Sequence, residues 1–266
     1  MGLQKGFIKL KGSLGGLTFY EKNGENIVRT TGGIDKERIA KDPSFKRTRE
    51  NMAEFGGAAK TGKALRMGFA NIIKTMADNR IVGRLTGIMK KVNTHGTGLR
   101  GQRSFEILKN ANIIQGFEFN KTFPLGAIFY APTQAPTLDA NRSIVTWVVP
   151  DFDTDSFITV PEGATHFKLV LATTVLSDYT YEVSSKSFVP VNPAENQRNG
   201  VAFSDAIAIG GMAGSDITLT VDLGFDSALP ATAGVISATG IIFYQEINSQ
   251  LYELAGSNAM RIEAIE

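Results

Sequence analysis

No cysteine occurs in the 266 residues, and histidine occurs only twice, at His95 and His166. The first absence excludes disulfides, cysteine nucleophiles and thiolate metal sites. Together the two leave zinc little but carboxylates, an unusual donor set. A cysteine-free chain folds in either redox regime, so the compartment stays open. No apolar run reaches the about 18–20 residues of a membrane-spanning helix. The opening MGLQKGFIKLKGSLGG has no apolar stretch of signal-peptide length. The expectation is cytoplasmic synthesis without a signal peptide, with later incorporation into a virion or extracellular assembly left open. Basic residues run short after position 115: residues 116–266 hold 6 of the 28 Lys and Arg but 17 of the 26 Asp and Glu, a net −11. Residues 1–115 carry +13, so the overall +2 hides a polar chain. Such asymmetry points to a polyanion, or to one part meeting the other.

Hydrophobic residues at 42% and charged residues at 20% are values of a folded globular chain. Its grammar changes twice, giving three expected parts: a β-hairpin arm with linker (1–41), a basic helical segment (42–116) and an acidic β-sandwich (117–266). The fold class expected is therefore α+β, with an N-terminal hairpin and basic helices preceding an all-β sandwich or jelly-roll-like domain.

In the first part, Phe7–Lys11 alternates like a strand and Gly12–Gly16 reads as a turn. Leu17–Tyr20 and Asn26–Thr30 flank Asn23-Gly24, a strong hairpin signal. Thr31–Ala40 reads as a charged linker. So small a β unit is marginal alone in water and needs a partner surface.

Asp42–Met76 reads as one long helix, started by Asp42 as N-cap and Pro43 behind it. Phe45, Met52, Phe55, Ala59, Leu65, Phe69, Ile72, Ile73 and Met76 recur at helical spacing as an apolar face. Lys46, Arg49, Lys60, Lys63 and Lys74 fall opposite. Gly56, Gly57, Gly62 and Gly68 lie inside this pattern, each costing about 1 kcal/mol against alanine. Either the helix breaks near Gly56 or something packs closely there. Ile81, Val82, Leu85, Ile88, Met89 and Val92 mark a second amphipathic helix, and Gln102–Ile114 a third, shorter or irregular one.

Beyond Phe117, short β-like runs alternate with Pro, Gly, Asn and Asp. They are Ala127–Tyr130, Ser143–Val149, Phe157–Val160, His166–Val175, Tyr179–Val183, Phe188–Val191, Val201–Ile209, Ile217–Leu223, Val235–Gln245, Gln250–Leu254 and Ala259–Ile265. This spacing of strands and turns belongs to sandwiches and barrels. Trp147, alternating with Val145 and Val149, is expected inside the sandwich.

Chemistry-bearing motifs are few. Gly12–Gly16 is followed by a strand and closed by no lysine, so it is no phosphate-binding P-loop. Asp151, Asp153, Asp155 and Glu162 match positions 1, 3, 5 and 12 of a calcium loop, but Ser156 replaces the glycine that turns it and strands flank it. Calcium is the only cofactor this sequence raises, and an ordinary acidic inter-strand loop is the competing reading. No Gly-x-Ser-x-Gly elbow accompanies the histidines, so no enzyme is expected. Lys46, Arg49, Lys60, Lys63, Arg66, Lys74, Arg80 and Arg84 supply a basic surface for a polyanion or an acidic protein face.

The stretches GSLGGLTFYEKNGENIVRTTGG, DPSFKRTRENMAEFGGAAKTGKALR, PEGATHFKLVLATTVLSDYTYE and GIIFYQEIN make the chain resemble conserved hypothetical proteins of Bacteroidota-type genomes and their phages. The resemblance covers most of the chain, carries over no site residue, and implies a structural protein of a mobile element or particle. The expected function is accordingly a non-enzymatic protein that self-assembles head to tail, its positive front meeting the negative back of another copy. The alternative is nucleic-acid binding through the basic helices. A third class, a calcium-dependent sugar-binding module or hydrolase, rests on the Asp151–Glu162 loop alone.

Overall fold

Asn23 and Gly24 both take positive φ, 54° and 80°, the backbone that a two-residue hairpin turn requires. In the computed structural model, which describes residues 2–266, this turn lies within a four-stranded antiparallel sheet. Its strands are β1 (Gly2–Leu3), β2 (Gly12–Leu14), β3 (Leu17–Lys22) and β4 (Glu25–Thr30), in the order β1-β4-β3-β2. The register pairs Leu17 with Thr30, Phe19 with Val28 and Tyr20 with Ile27. Side chains alternate across a sheet, so Leu14, Leu17, Phe19 and Val28 share one face and Leu3, Tyr20 and Ile27 the other. No residue of these strands is buried. Phe7–Lys11 is loop rather than strand, and the turn tightens at Gly15-Gly16, where φ is 56° and 76°. The expected linker holds α1 (Lys36–Lys41), started by the Asp35 carboxylate, which accepts the Glu37 N–H at 3.1 Å.

The long helix begins later and ends sooner than its periodicity suggests. Asp42 caps a short 3-10 turn, Pro43–Phe45, before α2 (Lys46–Gly68) runs unbroken for 23 residues. Among the glycines, close packing rather than a break is what occurs. A Cβ at Gly57 would sit 2.5 Å from the Phe188 ring, and one at Gly62 3.3 Å from the Leu85 backbone. Gly68 abuts Thr174, and only Gly56 faces open space. The buried side of α2 is therefore Gly57, Ala58, Thr61, Gly62, Ala64, Leu65 and Gly68 with Glu54. Met52 and Phe55, expected in the core, are each 60% exposed. Close approach of the helix needs small side chains at the contact, and that demand overrides the attraction of the larger apolar ones. After Gly68 the chain leaves the helix, burying Phe69 and Ile72 before α3 (Ile73–Met76). In α4 (Ile81–His95), Ile81, Leu85, Met89 and Val92 are buried at the expected spacing. Residues 102–114 are irregular apart from short turns, among them α5 (Ala111–Ile114).

The remaining elements are α6 (Leu125–Ile128), β5 (Thr137–Leu138), β6 (Ile144–Val149), α7 (Thr154–Phe157), β7 (His166–Ser177), β8 (Tyr179–Glu182), β9 (Ser187–Pro190), β10 (Asn199–Phe203), β11 (Ile207–Ala208), β12 (Ile217–Asp222), β13 (Ala233–Ile247), β14 (Gln250–Glu253) and β15 (Ala259–Ile265). Two expected strands become helical turns: Ala127–Tyr130 overlaps α6 and Phe157–Val160 overlaps α7. Pro124 and the Asp153 side chain start those turns, and a single Phe129–Ile158 bridge is all that remains of pairing there.

β7 and β13 pair along twelve residues, from Ala233–Ser177 to Tyr244–His166, at the centre of a six-stranded sheet. Their side chains alternate between two cores. Phe167, Leu169, Leu171, Val235 and Phe243 pack with Val145, Trp147, Val149, Leu219 and Val221 of the smaller β12-β6-β5 sheet. Val170, Ala172, Leu176, Ile236 and Ile242 pack with Leu65, Phe69, Leu85 and Met89 of the helical segment. Helices, large sheet and small sheet thus form three layers of an α+β fold, and burial on both faces explains the nearly continuous apolar runs of β7 and β13. Trp147 fills the inter-sheet core at 1% exposure and donates its indole N–H to Thr133 Oγ1 at 2.9 Å.

Residues up to Arg49 form one compact unit and Glu50–Glu266 a second. The line falls inside α2, not at 41 and 116, because helices and sheets after Glu50 share the core just described.

Candidate assembly interface

The first unit contains apolar residues without a core. Leu3 is 54% exposed, Ile8 63%, Leu14 69% and Phe7 96%. Each would gain about 1.5–3 kcal/mol from burial, so the sheet carries unrealised stabilisation on both faces. Residues 1–49, the whole unit, hold 11 Lys and Arg against 5 Asp and Glu. The sheet is held by backbone pairing and by exposed contacts such as the Lys11–Glu21 ion pair at 2.7 Å, the kind worth little in water.

The eight basic residues singled out by sequence divide by what they touch. Lys46, Lys60, Lys63, Lys74 and Arg80 are exposed, with Lys60 within 3.3 Å of Ser187 Oγ. Arg66 is half-buried. Arg49 spends its guanidinium on the carbonyls of Ile39 and Asp42, at 2.7 and 2.9 Å. Arg84 donates to the carbonyls of Glu118 and Phe119 and to Asp78 Oδ2 at 2.8 Å, over the Phe117 ring. It fastens α4 to the chain at 117–119 and is not offered to a partner. On α2, Lys63 lies on the same exposed side as Met52, Phe55 and Ala59 rather than opposite them, which corrects the expected division of faces.

The carboxylates of the candidate calcium loop do not converge. Asp153 Oδ1 accepts the Asp155 N–H at 3.1 Å as the N-cap of α7, and Oδ2 accepts Ser156 Oγ–H at 2.6 Å. Asp155 accepts the Gly211 N–H at 3.1 Å and Asp151 the Gly214 N–H at 2.8 Å. Glu162 stands on a separate turn. Among the described residues no three His, Asp or Glu side chains gather as metal ligands. The aspartates instead tie the 151–155 segment to the facing 210–216 loop, work that donor-rich loop backbone needs done. His95 ends α4 with Nδ1 beside the Lys91 carbonyl, and His166 opens β7 with Nε2 at 3.8 Å from Glu246. His166 Nδ1 lies 3.0 Å from the Thr165 hydroxyl.

One buried cluster carried no signal in sequence. Glu54, fully buried on α2, accepts from Arg103 Nε and Nη2 at 2.7 Å each, from the Gly101 N–H at 2.8 Å and from Lys90. Burial pushes its carboxyl up, but the bonds from Arg103, Lys90 and Gly101 outweigh it and hold the pKa at about 2. This rivets the 96–104 loop and α4 to α2. Asp178 shows the opposite balance. Burial raises it to about 6 against one bond from the Ile107 N–H, with Glu106 adding to the rise.

No family model, curated protein or solved structure matches the chain. No helix among the described residues is long and apolar enough to cross a membrane.

Proposed function

We propose that this is a non-enzymatic structural protein that assembles head to tail with copies of itself into a particle or filament, of the kind found in virions and mobile elements. The carrying observation is the sheet Gly2–Thr30, which has apolar residues on both faces and not one buried. A folded sheet with no core of its own is marginal; a second copy supplies the missing surface. The net +6 of residues 1–49 is opposite in sign to the net −11 of residues 116–266, so charge guides encounter and apolar burial holds the contact. A heterologous contact of this kind closes into rings or runs on into filaments.

Light scattering on the full chain across a salt series tests this. Assembly at low salt that weakens as salt rises, and that disappears when residues 1–41 are removed, is expected. A strict monomer at tens of micromolar and low salt overturns it. A second reading, nucleic-acid binding, is favoured by the exposure of Lys60, Lys63 and Lys74. It requires salt-steep duplex binding that is lost when those three become glutamate.

A further inference from the structure

On the second unit, a groove of about 620 Å³ opens where β11, at the edge of the large sheet, parts from β12, at the edge of the small one. Its surface is mostly polar, Asp205 and Asp216 included, with Phe203, Met212 and Ile217 as an apolar patch, and no lysine or arginine lines it. Phe203 and Met212 remain 44% and 59% exposed. Asp216 is fixed there by accepting the Asp151 N–H at 2.9 Å. Gly210, Gly211 and Gly214, at φ of 111°, 89° and 99°, carry the neighbouring loop past the groove without side chains to fill it.

A knob of matching chemistry projects from the first unit. The loop between β1 and β2 is closed by Gln4, whose Oε1 accepts the Leu10 N–H at 2.8 Å and whose amide donates to the Leu10 carbonyl at 3.2 Å. The chain between is Lys5-Gly6-Phe7-Ile8-Lys9, with Phe7 96% and Ile8 63% exposed. A clamped loop presenting a bare phenyl ring is preorganised for insertion, and seating that ring on Phe203 and Met212 would cover apolar surface that each now exposes.

We infer that the Phe7 loop of one copy seats in the Asp205–Asp216 groove of a second copy, phenyl ring against Phe203 and Met212, and Lys5 toward the two aspartates, while Lys9 Nζ donates to the Gln4 carbonyl and helps hold the loop. This rests on the assembly reading and names its contact. The groove is lined by one continuous stretch of chain, residues 203–219.

The test places p-benzoylphenylalanine at position 7 of the full chain, mixes isotope-heavy with isotope-light copies at low salt, irradiates, and maps the cross-links by mass spectrometry. Heavy-to-light links into residues 203–219 are expected. Phe7→Asp should weaken self-association at least tenfold with an unchanged melting curve. Asp205→Lys should weaken it too, with Lys5→Glu restoring it in the double variant. Links only within one copy, or into other segments of an assembled partner, overturn the groove contact while leaving assembly standing. A chain that never associates overturns both.

Discussion

β7 and the sheet Gly2–Thr30 are both antiparallel β-structure, yet ten of the twelve β7 residues are buried and none of the four-stranded sheet is. The two do not differ in the quality of their strand signals. β3 and β4 contain Leu, Phe, Tyr, Ile and Val in register, as β7 and β13 do. They differ in what lies over them, since β7 and β13 have a helical layer on one face and a second sheet on the other. Strand propensity and turn chemistry make a ladder; layers on its faces make it stable.

The largest expected effect follows directly. Hydrogen exchange in dilute protein should leave the amides of β3 and β4 on the order of 10³-fold or more less protected than those of β7 and β13. That gap should narrow on assembly. Equal protection in the dilute protein would break the comparison.

Glu54→Ala probes the covered region at its most concentrated point. Removing the carboxylate strands Arg103 and Lys90, and the loss in urea unfolding should be about 3 kcal/mol. Because the folded pKa of about 2 lies below the usual 4.5, this group's stabilisation is complete above pH of about 5 and drains as pH falls toward 2. The variant should therefore show less acid lability between those limits than the parent.

Gly56 and Gly57 sharpen the contrast between exposed and covered within one helix turn. Gly57→Ala meets Phe188 and should cost about 1–3 kcal/mol. Gly56→Ala meets nothing and should gain up to about 1 kcal/mol. Thermal melts of the two should move in opposite directions.

The smallest effect concerns Asp178. Its folded pKa of about 6 lies above the usual 3.8, so the fold favours the protonated acid and loses stability as pH rises through that window. Asp178→Asn keeps an acceptor for the Ile107 N–H. It should add about 1 kcal/mol at pH 8, discounted for partial solvent access, and nothing at pH 3.

Much of this architecture was legible in the sequence. Asn23-Gly24 announced its hairpin, and nearly every strand from Ser143 onward lies where alternation and turn residues place it. The α2 face was not legible, because hydrophobicity ranks Met52 and Phe55 above Gly57 and Ala58 whereas packing at short range reverses that order. Ala127–Tyr130 and Phe157–Val160 look like strands, but the first follows a turn entered at Pro124 and the second a turn capped by the Asp153 side chain. The Glu54 cluster joins residues far apart in sequence through charges that look like ordinary surface ones. The Asp151–Glu162 spacing imitates a metal loop because aspartates that cap backbone N–H groups favour the same short intervals.

Fifty-five residues separate the end of β7 from the start of β13. A ribosome adding about 5–20 residues per second takes roughly 3–11 seconds to cover that interval. Throughout it, β7 has emerged with two greasy sides and no central neighbour. A nascent chain in that condition invites chaperone capture or wrong pairing, and its yield in the cell will depend on how quickly β13 arrives.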